Sequence, residues 1–154
     1  MTDFFAKGGT WVLAQGALLV TVAVLAATRP APFTFPGRGI VGWALVALGL
    51  AIALRASAAL GSSLSPFPAP VKAGRLVAAG PYRVVRHPIY TGVILGSLGV
   101  AYAFGDWLSL LAAASLVPFF YAKSTSEEEH LSTTYPDYES YRREVPKRII
   151  PGVL

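Results

Sequence analysis

Cysteine is absent from this chain. That excludes a disulfide framework, a thiolate nucleophile and a cysteine-held metal. Histidine is scarce: His87 and His130 lie far apart, without the carboxylate pair that a histidine metal site would add, so no metal is expected. No Gly-x-Gly-x-x-Gly follows a strand-like run and no Walker-type loop occurs, which removes the common phosphate cradles. Nothing supports a serine-based triad. Charge is also thin. Charged residues make up 14% of the chain, about half the share usual in soluble domains. From Gly8 to Leu64 the only charges are Arg29, Arg38 and Arg55.

What fills the chain instead is apolar. Hydrophobic residues make up 54% of it, so it is an integral membrane protein by composition. The expected fold is all-α: a membrane helical bundle of about four transmembrane helices, the last two a short hairpin, followed by a C-terminal amphipathic cytoplasmic segment. The first span is about Trp11–Thr28, taken as a retained span and not a cleaved signal. Arg29-Pro30-Ala31-Pro32 stops it. The second is about Ile40–Leu60. Both are long enough to cross about 30 Å of hydrocarbon. Gly61 to Gly80, with Pro66, Pro68 and Pro70, is a loop. The third and fourth, about Ile89–Phe104 and Trp107–Tyr121, are short and joined by a tight turn at Gly105-Asp106. Residues 1–154 form a single domain: 11–60 supply two spans and 61–154 the core with the chemistry.

Basic residues orient the bundle. Lys7, Lys72, Arg75, Arg83, Arg86, Lys123, Arg142, Arg143, Lys147 and Arg148 fall on one side of a four-span arrangement, and Arg29 and Arg38 on the other. The positive-inside rule places the first side, with both termini, in the cytoplasm. The net charge of +5 then reflects orientation, and no nucleic-acid partner is expected; the bilayer is the partner. Arg55 sits near the cytoplasmic end of its span, where it can snorkel or pair with a carboxylate.

Two constellations carry possible chemistry. The run Gly80-Pro81-Tyr82-Arg83-Val84-Val85-Arg86-His87-Pro88-Ile89-Tyr90-Thr91-Gly92 sets polar groups at the start of an apolar helix. Pro88 fits its first turn, so Arg86 and His87 precede the helix and Tyr90 lies in its first turn. Polar groups at that depth are costly and mark sites more often than scaffolds. The plain alternative is a basic flank with an interfacial tyrosine. Gly92 and Gly96 allow close helix packing; Gly92, two residues past Tyr90, could also leave room for a cofactor. A dimer through that face is allowed.

The second constellation is Glu127-Glu128, either a solvated acidic patch at a helix start or the partner of the arginine-histidine run. A carboxylate there could hold the amine or ribose of a ligand, or pair with Arg86 and orient it. His130 has the character of a solvent-facing residue. Beyond it, Leu131, Tyr135, Tyr138, Tyr141 and Val145 share one helical face. Pro136 suits the first turn of a new helix after Thr133-Thr134. This amphipathic tail would lie on the membrane or cap the bundle.

Both constellations, in this order, resemble the signature of the isoprenylcysteine carboxyl methyltransferase and phospholipid methyltransferase superfamily. The match runs through Gly80–Gly92, then Glu127, Glu128, Leu131, Tyr135, Tyr138 and Tyr141, and a Val145-Pro146 to Pro151 ending. It departs at Pro136, where the family usually has glycine, and in the two spans before the core, fewer than isoprenylcysteine enzymes usually carry. The resemblance implies a membrane enzyme that uses S-adenosylmethionine and releases S-adenosylhomocysteine. Tyr82, His87, Pro88, Tyr90, Gly92, Glu127, Glu128 and Tyr135 would surround the cofactor. Arg86, Tyr90 and Glu128 would serve catalysis, Arg86 facing the acceptor. The acceptor would be a small hydrophobic or lipid-like molecule, an isoprenylcysteine-like or other hydrophobic acid by preference. The alternatives are a phospholipid amine acceptor, a non-catalytic protein that keeps the fold, and a relative of NADPH-dependent membrane reductases.

Overall fold

The computed structural model describes residues 2–29, 36–71 and 74–150, with the side chains of Thr2 and Asp3 left aside. The proline stop after Arg29, Lys72 and the Pro151 ending lie outside the described residues. The described residues are all-helical, without strands. A short α1 (Thr2–Ala6) turns at Gly8, where φ is 87°, into α2 (Gly9–Thr28). Then follow α3 (Arg38–Leu60), α4 (Pro88–Phe104), α5 (Trp107–Ala114), α6 (Leu116–Thr134) and α7 (Tyr138–Glu144). Short 3₁₀ turns cover Gly61–Ser63 and Gly80–Arg83. Three helical stretches are long and apolar enough to cross a membrane: Gly9–Thr28, Arg38–Ser63 and Trp107–Thr134. With 17 residues, α4 rises only about 26 Å, short of a full bilayer core of about 30 Å.

The fourth apolar stretch does not stop at Tyr121. Its helix is interrupted at Ser115 and runs on through the glutamates to Thr134. Pro118 explains the interruption: it has no N–H to offer the Ala114 carbonyl, and its ring crowds that carbonyl. Glu127 and Glu128 therefore lie in the C-terminal half of a long helix, which corrects the reading of an acidic patch at a helix start. The expected break near Thr134 is there, but the next helix starts at Tyr138, not at Pro136.

Two features fix the helices relative to one another. α3 and α4 share the most extensive helix contact, and glycine makes it possible. A Cβ on Gly92 would stand 2.5 Å from the Gly49 carbonyl oxygen and 2.8 Å from the Ala53 nitrogen. A Cβ on Gly99 would stand 2.7 Å from the Gly42 carbonyl oxygen. Gly92 thus packs against the backbone of α3. At the far end of the bundle, Asp106 caps α5 by accepting from the Leu108 and Ser109 amides. Its other oxygen accepts from Arg29 Nε at 2.8 Å, while buried Arg38 donates to the Tyr102 and Gly105 carbonyls. These bonds tie the ends of α2 and α3 to the α4–α5 turn.

Candidate active site

At the opposite end from that turn, the loop before α4, the second half of α6 and the tail after α7 converge. The Arg86 and His87 amides donate to the Lys147 and Arg148 carbonyls at 3.0 and 2.9 Å, and Thr91 Oγ1 donates to the Ile149 carbonyl. The tail is thereby stapled along the start of α4. Pro88 opens that helix and is buried; having no N–H, it leaves the backbone pairing to its neighbours.

The staple brings Arg86 against Glu128. Nε donates to Oε1 at 2.9 Å, and Nη2 points at Oε2 from 3.3 Å. Nη1 donates to the Val145 and Pro146 carbonyls at 2.8 and 2.7 Å. His87 Nε2 lies 3.0 Å from Glu128 Oε1, and Arg148 Nη2 donates to Oε2 at 3.0 Å. Glu128, 4% exposed, thus anchors two arginines and an imidazole. Charges this deep are costly unless they are paired.

Glu127 faces elsewhere, because successive helical residues project about 100° apart. Its Oε2 accepts the Tyr90 hydroxyl at 2.5 Å and lies 3.6 Å from His87 Nδ1. The Tyr90 ring stacks on His87 at 5.3 Å and on Phe120 at 4.5 Å between centroids. Each of these stacks orients the phenol toward Glu127.

A cavity of about 360 Å³ opens beside this cluster, within the range of small-molecule sites. Its polar wall includes Arg86, His87, Tyr90, Lys123 and Glu127, and its aromatic wall Tyr82, Tyr135, Tyr138 and Tyr141. The proline-rich segment Ser65–Pro70 and the end of α3 close the apolar side. Burial pushes the Tyr82, Tyr138 and Tyr141 phenols well above their ordinary range, with the Glu127 charge adding to the effect on Tyr82. All three remain neutral donors at physiological pH. Tyr141 donates to the Tyr82 carbonyl at 2.8 Å. The Tyr138 hydroxyl, fully buried on the cavity wall, has no hydrogen-bond partner among the described residues.

Of the residues expected from sequence, Tyr82, Arg86, His87, Tyr90, Glu127 and Tyr135 line the cavity; Pro88, Gly92 and Glu128 do not. His130 is exposed, and its Nδ1 lies 2.7 Å from the Ser126 carbonyl oxygen. Tyr138 was legible only as part of an aromatic face. Lys123 and Arg148 stood out only as basic charges, and Gln15 carried no signal. No cluster of metal-binding side chains occurs among the described residues.

Fold and site together define a helical membrane protein with a polar, tyrosine-walled cavity built at the ends of its helices. Residues 38–138 match the phospholipid methyltransferase family, and the chain belongs to that family. It is 41% identical over 76 residues to the protein-S-isoprenylcysteine O-methyltransferase of Schizosaccharomyces pombe, covering 48% of this chain and 32% of the relative. It is 31% identical over 77 residues to protein-S-isoprenylcysteine O-methyltransferase B of Arabidopsis thaliana, covering 49% and 39%. A similar stretch, 32% identical over 76 residues, occurs in the nickel-cobalt-cadmium resistance protein NccN of Alcaligenes xylosoxydans xylosoxydans, covering 49% and 36%. The chain spans about a third of the length of the curated relatives it matches.

Proposed function

We propose that this protein transfers a methyl group from S-adenosylmethionine to a small hydrophobic or lipid-like acceptor at the cytoplasmic face of a membrane. Family membership supports the reaction class. The observation that carries the site is the cavity itself, which sets one carboxylate, Glu127, among aromatic faces, with the buried Tyr138 hydroxyl left unpartnered among the described residues. Carboxylates and π-faces suit a sulfonium cation. A neutral phenol with a free donor suits the nitrogen or hydroxyl acceptors of an adenosine.

When bound, S-adenosylmethionine supplies an electrophilic methyl group and leaves as S-adenosylhomocysteine. Glu127, already accepting from Tyr90, would hold the cationic amine. Tyr82, Tyr135 and Tyr138 would enclose the nucleoside, and the His87–Tyr90 stack would support the wall between them. Arg86 and Glu128 act as positioning residues: their ion pair fixes the α4 start against α6, and with it the relative placement of Tyr90 and Glu127. Methyl transfer gains from such orientation and from exclusion of water. The concentration of Lys and Arg at this end supports its cytoplasmic placement.

Carboxyl methylation of an isoprenylcysteine-like or other hydrophobic acid is the favoured reaction, supported by the names of two relatives. The family's own description supports N-methylation of a phospholipid amine as the second reading. Incubating the purified protein with methyl-labelled S-adenosylmethionine and a membrane lipid extract, then identifying the product by mass, tests both. Base-labile label indicates a methyl ester, and label stable in a lipid headgroup an N-methyl product. A lack of S-adenosylmethionine binding would end the proposal.

A further inference from the structure

Lys123 is buried to 2% exposure, one helical turn before Glu127 on the same helix. Its ammonium donates to Gln15 Oε1 at 2.7 Å and to the Pro66 carbonyl at 3.2 Å, and lies 5.4 Å from the centre of the Tyr90 ring. All of these partners line the cavity. An ammonium has three donors, of which two are used among the described residues. No carboxylate lies within salt-bridge distance of Lys123 among the described residues. A buried cation held by an amide, a carbonyl and a π-face, with the Glu127 charge acting on it only from beyond contact distance, is incompletely compensated. The contrast with Arg86 is sharp, since that guanidinium is neutralised by Glu128 and bonded to two carbonyls.

We propose that Lys123 is the counter-ion for the carboxylate of the cofactor's amino-acid end. The inference rests on the cofactor reading above and deepens it. Glu127 and Lys123 stand at i+4 and i on α6, so their charged ends sit on neighbouring parts of the same wall. A zwitterionic amino acid presents an ammonium and a carboxylate about as close together. Glu127 takes the first and Lys123 the second, using its free donor. Binding then supplies an anion in contact with a cation already desolvated and oriented by Gln15 and Pro66. Because Gln15 belongs to α2 and Pro66 to the loop after α3, the contact also joins three parts of the chain around one ligand group.

The test compares S-adenosylhomocysteine with its decarboxylated analogue, which keeps the amine and lacks only the carboxylate. Both are titrated calorimetrically into the detergent-solubilised full chain. The wild type is expected to prefer the carboxylated compound by roughly tenfold or more, the range of one charge-assisted hydrogen bond. Lys123→Met should bind both with the affinity the wild type shows for the decarboxylated compound, and Lys123→Arg should restore part of the preference. Equal affinity of the wild type for the two compounds overturns the assignment without any variant. So does a folded Lys123→Met protein that keeps the full preference, which would leave the free donor to a carboxylate or phosphate of the acceptor. Failure of the wild type to bind either compound instead removes the cofactor reading on which the assignment stands.

Discussion

Arg86 and Glu128, 42 positions apart, form a buried side-on ion pair at 2.9 Å, each side chain about 5% exposed. The pair joins the start of α4 to the second half of α6, and Arg148 brings the tail into the same carboxylate. Removing the negative charge leaves two arginines facing each other with no anion between them. Glu128→Gln is therefore expected to destabilise the fold by about 3–5 kcal/mol, seen as a large fall in apparent melting temperature in detergent. A Glu128→Gln protein that melts like the wild type would show that the network contributes little to folding.

Glu127 makes the opposite prediction. It is a quarter exposed and bonded to a tyrosine, not an arginine. Glu127→Gln keeps a group able to accept from Tyr90 and loses only the charge offered to the cavity. Melting temperature should change little, while affinity for S-adenosylhomocysteine falls roughly tenfold. The comparison of the two neighbouring glutamine variants separates a structural carboxylate from a ligand-binding one. Unchanged affinity in the Glu127 variant would take this residue out of the site.

That contrast also marks where the sequence stops being informative. The two halves of the site, Arg86-His87-Pro88-x-Tyr90 and Glu127-Glu128, are visible as residue types and spacings. Their meeting is expected from the return of α6 to the end where α4 begins. Which glutamate faces Arg86 is not expected from spacing, because adjacent positions on one helix point about 100° apart and only the packed helix defines the inward direction. The length of α6 was hidden for a related reason: apolar character ends near Tyr121, but the helix continues as a polar one, supported by the pairs that Glu128 and Lys123 make. The staple of residues 147–149 onto Arg86, His87 and Thr91 has no periodic signature at all, since it uses backbone groups. Lys123 had the profile of an ordinary basic residue until its burial was seen.

The glycines of α4 divide into two kinds, and substitution should separate them. Gly92 has the backbone of α3 within 2.8 Å of a Cβ position, whereas a Cβ on Gly96 would meet nothing within 4 Å. Backbone cannot yield as a flexible side chain can. Gly92→Ala should cost about 1–3 kcal/mol through overpacking, while Gly96→Ala should be neutral or slightly stabilising, since alanine is the better helix former by about 1 kcal/mol. Thermal melts of the two variants side by side check the contact. If both melt alike, α3 and α4 do not approach as closely as described.

Tyr138 offers the most direct reading of what the cavity is for. Its ring packs with Tyr141 and Val145 against Leu76 and Leu131, so the phenol is fixed in place by apolar contacts, yet its hydroxyl finds no partner among the described residues. A buried hydroxyl without a partner costs about 1–3 kcal/mol, and phenylalanine would fill the same space without that cost. Tyr138→Phe should therefore leave the ligand-free protein as stable as the wild type or more so. If the hydroxyl is instead satisfied by the ligand, the same variant should bind S-adenosylhomocysteine roughly tenfold more weakly. Melting curves with and without S-adenosylhomocysteine measure both effects on one sample: the variant should start at an equal or higher temperature and gain less from the ligand. A variant that gains as much as the wild type would make the tyrosine a packing residue whose hydroxyl has no role in binding.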